Sequence, residues 1–124
     1  NGREAAKYMV KRNKGTIIFT GATASMRGGS NFAAFASAKN GLRALAQSMA
    51  RELGPQNIHV AHVIIDAAVD TEWIKSIHPE YDKKIKTDGI VNPSHLAENY
   101  LYLYDQPRDA WTFELDLRPW QETW

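Results

Sequence analysis

The run Gly15-Thr-Ile-Ile-Phe-Thr-Gly-Ala22, a glycine-broken loop, the long segment Asn31 to Leu53 and the run Ile58-His-Val-Ala-His-Val-Ile-Ile65 together decide the fold. Thr16 to Thr20 are β-branched and aromatic without polar alternation, the pattern of a strand buried on both faces of a parallel sheet. Gly21, Gly28 and Gly29 mark the connection as a loop. From Asn31 to Leu53, Ala, Leu, Met and Phe recur at helical spacing with no proline, and Gly54-Pro55 stops the helix, with the glycine suited to a left-handed cap. The second strand follows at once. Strand, loop, helix, strand is a βαβ unit, and its crossover should be right-handed.

Working outward, Gly2 to Lys11 sets Ala5, Ala6, Met9 and Val10 against Arg3, Glu4, Lys7 and Lys11, an amphipathic helix of about three turns. Downstream, Trp73–Ile77 and Pro79–Ile85 read as short helices. A longer one runs from His95 to Tyr104 with Ser94 as its N-cap. Trp111–Leu117 reads as a last strand, in which Trp111, Phe113, Leu115 and Leu117 alternate with Thr112, Glu114 and Asp116. The aromatic tail Pro119–Trp124 is expected to pack. On the second strand Ile58, Val60, His62 and Ile64 share one face, and His59, Ala61, Val63 and Ile65 the other. The class is therefore α/β: part of a doubly wound sheet, with three parallel strands and helices on both faces.

Composition narrows the function. The chain of 124 residues is 44% hydrophobic and 23% charged, with a net charge of +1. That makes one domain, numbered 1–124, and gives no electrostatic reason to expect nucleic acid or an anionic membrane. No apolar run approaches the roughly 20 residues that span a bilayer. There is no cysteine, which removes disulfides, thiolate nucleophiles and thiolate-bound zinc, and the expected location is the cytoplasm. His59, His78 and His95 have no metal-ligand spacing, so no metal site is expected. The basic groups Lys11-Arg12-Lys14 and Lys83, Lys84 and Lys86 read as solvated helix ends, and the four Trp as packing residues. The chain opens at Asn1-Gly2 without an initiator Met, directly in a helical pattern, and is expected to be a fragment.

The order of the elements and their motifs resemble the C-terminal half of a divergent short-chain dehydrogenase/reductase, over nearly the whole chain. The segment Gly15 to Ser25 resembles the fifth strand and the catalytic-serine loop. Phe35-Ala-Ser-Ala-Lys39 resembles the Y-x-x-x-K helix, Ile58 to Val63 the sixth strand, and Asp66 to Thr71 the P-G-x-x-x-T cofactor loop. Ala110 to Pro119 stands in the place of the seventh strand. The resemblance implies hydride transfer between NAD or NADP and a carbonyl or alcohol. Tyr is the acid/base, Lys holds the ribose and lowers the Tyr pKa, and Ser orients the substrate oxygen. It further implies cofactor contacts from Lys39, Asp66, Ala67, Val69 and Thr71 in a full-length parent.

The departures matter as much. Phe35 stands at the Tyr position and has no proton to give, and Ala22, thirteen residues earlier, stands at the Ser position. A phenol needs an adjacent cation to work near neutral pH, and here only the cation, Lys39, is retained. The glycine-rich turn that cradles a pyrophosphate is absent; Thr20-Gly-Ala-Thr23 is not that motif. No cofactor is expected to bind this chain by itself. Candidates for a relocated proton-transfer or orienting group are Asp66 at a strand's carboxyl end, and Thr23 and Ser25 beside Ala22. His62, on a strand, reads as a core or interface residue. Ser37 points away from the face of Lys39.

The resemblance also implies a homodimer or higher homo-oligomer through helices 2–11 and 31–53, whose small side chains allow close approach. Two functions follow. In one the chain is part of an atypical NAD(P)-dependent oxidoreductase, inactive as it stands. In the other it is a non-catalytic pseudoenzyme or oligomerisation module.

Overall fold

The computed structural model describes residues 1–124. Three parallel strands stand in the order β1-β2-β3: β1 (Gly15–Ala22), β2 (Ile58–Ile65) and β3 (Glu114–Leu117). The register runs from Gly15 opposite Ile58 to Ala22 opposite Ile65, and from His62 opposite Glu114 to Ile65 opposite Leu117. Helices α1 (Gly2–Arg12) and α2 (Ala33–Leu53) cover one face. Helix α5 (Pro93–Asp105) covers the other. Between β2 and α5 lie the short helices α3 (Glu72–Ile77) and α4 (Tyr81–Lys84). No helix is long and apolar enough to cross a membrane.

The alternation along β2 builds the core. Ile58 and Val60 meet Ile17, Ala6 and Leu53 under α1 and α2. Ala61 and Val63 meet Leu103 on the α5 side, with Ile18, Tyr100, Leu115 and Leu117 around them. Because a strand's side chains point alternately up and down, one apolar run supplies both layers. β1 and β3 are the two edges, and β2, buried along nearly its whole length, is the centre.

Several boundaries differ from the sequence reading. Gly21 is a strand residue, because its missing side chain makes room for the His62 imidazole. α2 begins at Ala33, since Asn31 has a left-handed φ of 68° and cannot open a helix. Gly54 keeps a right-handed φ of −54° and starts a 3₁₀ turn; the left-handed position falls three residues later, at Asn57, with φ 61°. Asn92, not Ser94, caps α5: its Oδ1 accepts from the Ser94 amide, with Pro93 in the first turn. The segment read as helical over Pro79–Ile85 is α4 followed by a 3₁₀ turn, Ile85–Thr87. β3 starts only at Glu114. Trp111 leaves the ladder to stack on His59, with ring centroids 4.9 Å apart and planes 2° from parallel. The tail is tied down by Gln121 Nε2, which donates to Thr87 O at 2.6 Å, while the rings of Trp120 and Trp124 stay exposed.

Candidate functional site

The carboxyl ends of the strands gather the residues singled out above, as expected for an open α/β sheet. Lys39, on the second turn of α2, reaches back to β1, where its Nζ donates to the Thr20 carbonyl at 3.1 Å. The ammonium has three donors, so this bond leaves others for a ligand. One turn earlier, the Phe35 ring lies 5.9 Å from Lys39 Nζ and is 47% exposed. The 3,4-spacing of a helix puts the two on one face, as the Tyr-Lys pattern would, but the ring carries no hydroxyl.

Ala22 ends β1 in an extended conformation, and its amide donates to Ser25 Oγ at 3.1 Å. A 3₁₀ turn, Thr23–Ser25, follows. Asn40 of α2 fastens this turn: its Nδ2 donates to Ala24 O at 2.8 Å and to Ala36 O at 3.0 Å. Ser25 is wholly buried. Its hydroxyl serves the turn and does not face solvent.

Thr23 and Asp66 are brought into direct contact, Thr23 Oγ1 donating to Asp66 Oδ1. Asp66, at the end of β2, is buried, with Arg27 Nη2 at 3.5 Å and Arg118 Nε at 3.6 Å from its Oδ2. Two guanidinium groups and the Thr23 hydroxyl thus surround this carboxyl and hold it in the protein's own contacts. Arg118 also pairs with Asp116 and lies 4.1 Å over the Trp124 ring. Neither arginine was singled out from the sequence, for their convergence depends on which loops leave the same end of the sheet.

Of the loop residues, Ala67 and Val69 are half-buried, and Val69 forms a parallel bridge with Val91. Thr71 caps α3, its Oγ1 accepting from Ile74 N at 3.2 Å. Beyond this loop Tyr81 donates to Asp70 Oδ1 at 2.7 Å, and that bond pushes the phenol up to about 12.

Close to the site lies a partly buried charged group. Arg43, one turn beyond Lys39 on α2, holds Glu114 of β3 through two bonds: Nε to Oε2 at 2.6 Å and Nη2 to Oε1 at 3.0 Å. His62 of β2 is wholly buried, and its Nδ1 lies 3.1 Å from Glu114 Oε2. The hydrogen bonds from Arg43, more than burial opposes them, hold the Glu114 carboxyl below its usual range, with a smaller contribution from His62. The same pairing raises the Arg43 guanidinium. His62 is thus a core residue, as read from the sequence, though one side of it is charged. The sequence carried one signal for this group: Glu114 is a charge within the predicted strand Trp111–Leu117, on the face opposite Phe113 and Leu115.

Comparison with known proteins follows this geometry. The profile described as short chain dehydrogenase matches residues 2–82. The chain is 36% identical over 88 residues to the 3-oxoacyl-[acyl-carrier-protein] reductase MabA of Mycobacterium avium, an alignment covering 71% of this chain and 32% of that protein. It is 28% identical over 106 residues to the 3-oxoacyl-[acyl-carrier-protein] reductase of Bos taurus, covering 85% of this chain and 44% of the relative. The chain therefore spans less than half the length of these curated relatives. Among solved structures, a short-chain dehydrogenase from Rhodopseudomonas palustris is 52% identical with a TM-score of 0.73, covering 96% of this chain and 45% of that one. A serine dehydrogenase complexed with NADP+ shares the fold at a TM-score of 0.81 and 17% identity, over 99% of this chain and 51% of that one.

Proposed function

Since the chain belongs to the short-chain dehydrogenase family, we propose that it carries the substrate side of an oxidoreductase that moves hydride between NAD or NADP and a carbonyl or alcohol. The observation that supports this reading is Lys39, poised at the carboxyl end of β1 with donors to spare. A nicotinamide cofactor, when bound, supplies the hydride chemistry. Lys39 would hold its ribose hydroxyls, and the loop from Asp66 through Ala67 and Val69 to Thr71 would lie along it. Asp66 and Thr71 are already engaged by side-chain bonds within the protein, so their part is to shape the loop.

The same geometry argues that this chain transfers no proton by the usual route. Phe35 and Ala22 occupy the two positions where hydroxyls are needed, and the nearest hydroxyls, Thr23 and Ser25, are held in protein bonds. The 124 residues by themselves should neither bind the cofactor tightly nor reduce a carbonyl. Fluorescence titration with NADH and NADPH tests the first point: saturation at micromolar concentrations would overturn it. A chimera tests the second. The upstream part of the Rhodopseudomonas palustris dehydrogenase, joined to this chain, should bind NADH or NADPH in a manner lost in Lys39→Ala. Carbonyl reduction should appear only after Phe35→Tyr with Ala22→Ser. Failure of the chimera to bind either nucleotide would favour the second reading, a non-catalytic module.

That second reading has its own observation. A groove of about 670 Å³ lies between α1 and α2, lined by Ala6, Val10, Leu45, Met49 and Leu53 together with the charged Arg3, Lys7, Lys11 and Glu52. Leu45 is 51% exposed there. An apolar strip of this kind suits a second copy of the same chain, related by a two-fold axis. Light scattering at tens of micromolar should give a dimer or larger. A monodisperse monomer removes the oligomer from both readings.

A further inference from the structure

Three groups each hold a buried polar atom without a hydrogen-bond partner: Asp66 with its arginines, the His59–Trp111 stack, and the Arg43–Glu114–His62 set. The last reaches furthest. Glu114 is an ionised carboxylate that only accepts, so His62 Nδ1 carries the proton of their bond. The opposite nitrogen, Nε2, is buried without a hydrogen-bond partner. It points to the space left open by Gly21: a Cβ on that glycine would overlap Nε2 and stand 2.6 Å from Ser25 Oγ. His62 Nε2 and Ser25 Oγ therefore both border the space beside Gly21, without a hydrogen bond from Nε2, and Ser25 in turn holds the Ala22 amide.

At its other end the set grips α2. Arg43 and Lys39 are four apart on that helix and so share a face. Lys39 is fastened to β1 and Arg43 to β3, the strands on either side of β2. A helix held at two points across the sheet can neither roll nor slide without breaking one of them. Both the helix that carries Lys39 and the turn that carries Ala22 and Thr23 thus lead back to one carboxylate.

We infer that Glu114 is a positioning residue for the candidate site, fixing Lys39 through Arg43 and the Ala22–Ser25 turn through His62. This rests on the reading that Lys39 and that turn form the site. Removing the charge loosens both, even where stability is kept. Replacing an ion pair by apolar side chains of similar size often costs little stability, but here the buried His62 Nδ1–H also loses its acceptor, so the effect at the site is read against a control amide elsewhere in the chain.

The test is the double variant Arg43→Met/Glu114→Met, read by two signals that need no cofactor. One is NMR-detected hydrogen exchange of the Ala22 amide, with the Val91 amide, bonded to Ala68 O, as control. The other is the ¹³C signal of Lys39 after reductive methylation, assigned by Lys39→Arg. We expect exchange at Ala22 to rise about tenfold with Val91 unchanged, and the Lys39 signal to move. Wild-type values for both in a folded variant overturn the proposal. If the double variant does not fold, Glu114→Gln, which keeps the side-chain size, is read by the same signals under the same criterion. Failure of the chimera to bind NADH or NADPH would refute the cofactor reading and leave the exchange and ¹³C results standing.

Discussion

Gly21 lies flush against the buried imidazole of His62, with no room between them for even a methyl group. The glycine is in a strand and has no positive φ, so its small size, not its backbone freedom, is what the structure uses. Gly21→Ala should cost about 1–3 kcal/mol through overpacking. In a His62→Ala background the added cost should fall, though the approach to Ser25 Oγ remains, because neighbours that share a space are not additive. Urea unfolding of the four proteins of this cycle measures it; equal costs in both backgrounds would show that the clash is relieved elsewhere.

Acid should weaken the molecule partly through Glu114. Its folded pKa is lowered, chiefly by the bonds from Arg43, so its contribution is present above the unfolded carboxyl value of about 4.3 and is lost as pH falls through the lower folded value. Glu114→Gln should flatten the fall in unfolding free energy below about pH 4.3. An unchanged slope would mean that other carboxylates carry the acid response.

Tyr81 offers a direct optical check on the loop after β2. Asp70 accepts its hydroxyl bond and pushes the phenol up to about 12. In Asp70→Asn the titration, followed by tyrosinate absorbance, should move down toward the ordinary value of about 10. If the curve of the single-residue difference does not move, the Tyr81–Asp70 bond is not formed in solution.

Leu103 and Leu101 separate core from surface on one helix. Leu103 is wholly buried against Ala61 and Val63, whereas Leu101 is 62% exposed. Leu103→Ala should lose about 2–5 kcal/mol, and Leu101→Ala about 0.5 or less. Thermal unfolding of the two variants reads the difference, and a larger loss at Leu101 would place a partner on that side of α5.

The architecture was legible because its signals are local. Thr16 to Thr20 and Ile58 to Ile65 are dense in β-branched residues, and the interval between them has helical spacing. Parallel pairing then follows from the length of the crossover. The errors were also local. Asn31, read as the first helical residue, takes a left-handed turn position, and Asn57 and Asn92 take the left-handed and capping positions assigned to Gly54 and Ser94, because Asn competes well for such geometry. Lys39 and Phe35 were legible as neighbours because four-residue spacing on a helix puts them on one face.

By itself, then, the sequence determined the layers, the parallel sheet, and the placing of Lys39 and Phe35 on one face of a helix. Tertiary structure alone decided what those residues touch. Arg43 and Glu114 are 71 positions apart, His62 and Glu114 are 52 apart, and Thr23 and Asp66 are 43 apart. Periodicity assigns each to a face but not to a partner. Only the parallel register, which sets His62 beside Glu114 and ends β1 and β2 at the same height, turns those faces into contacts.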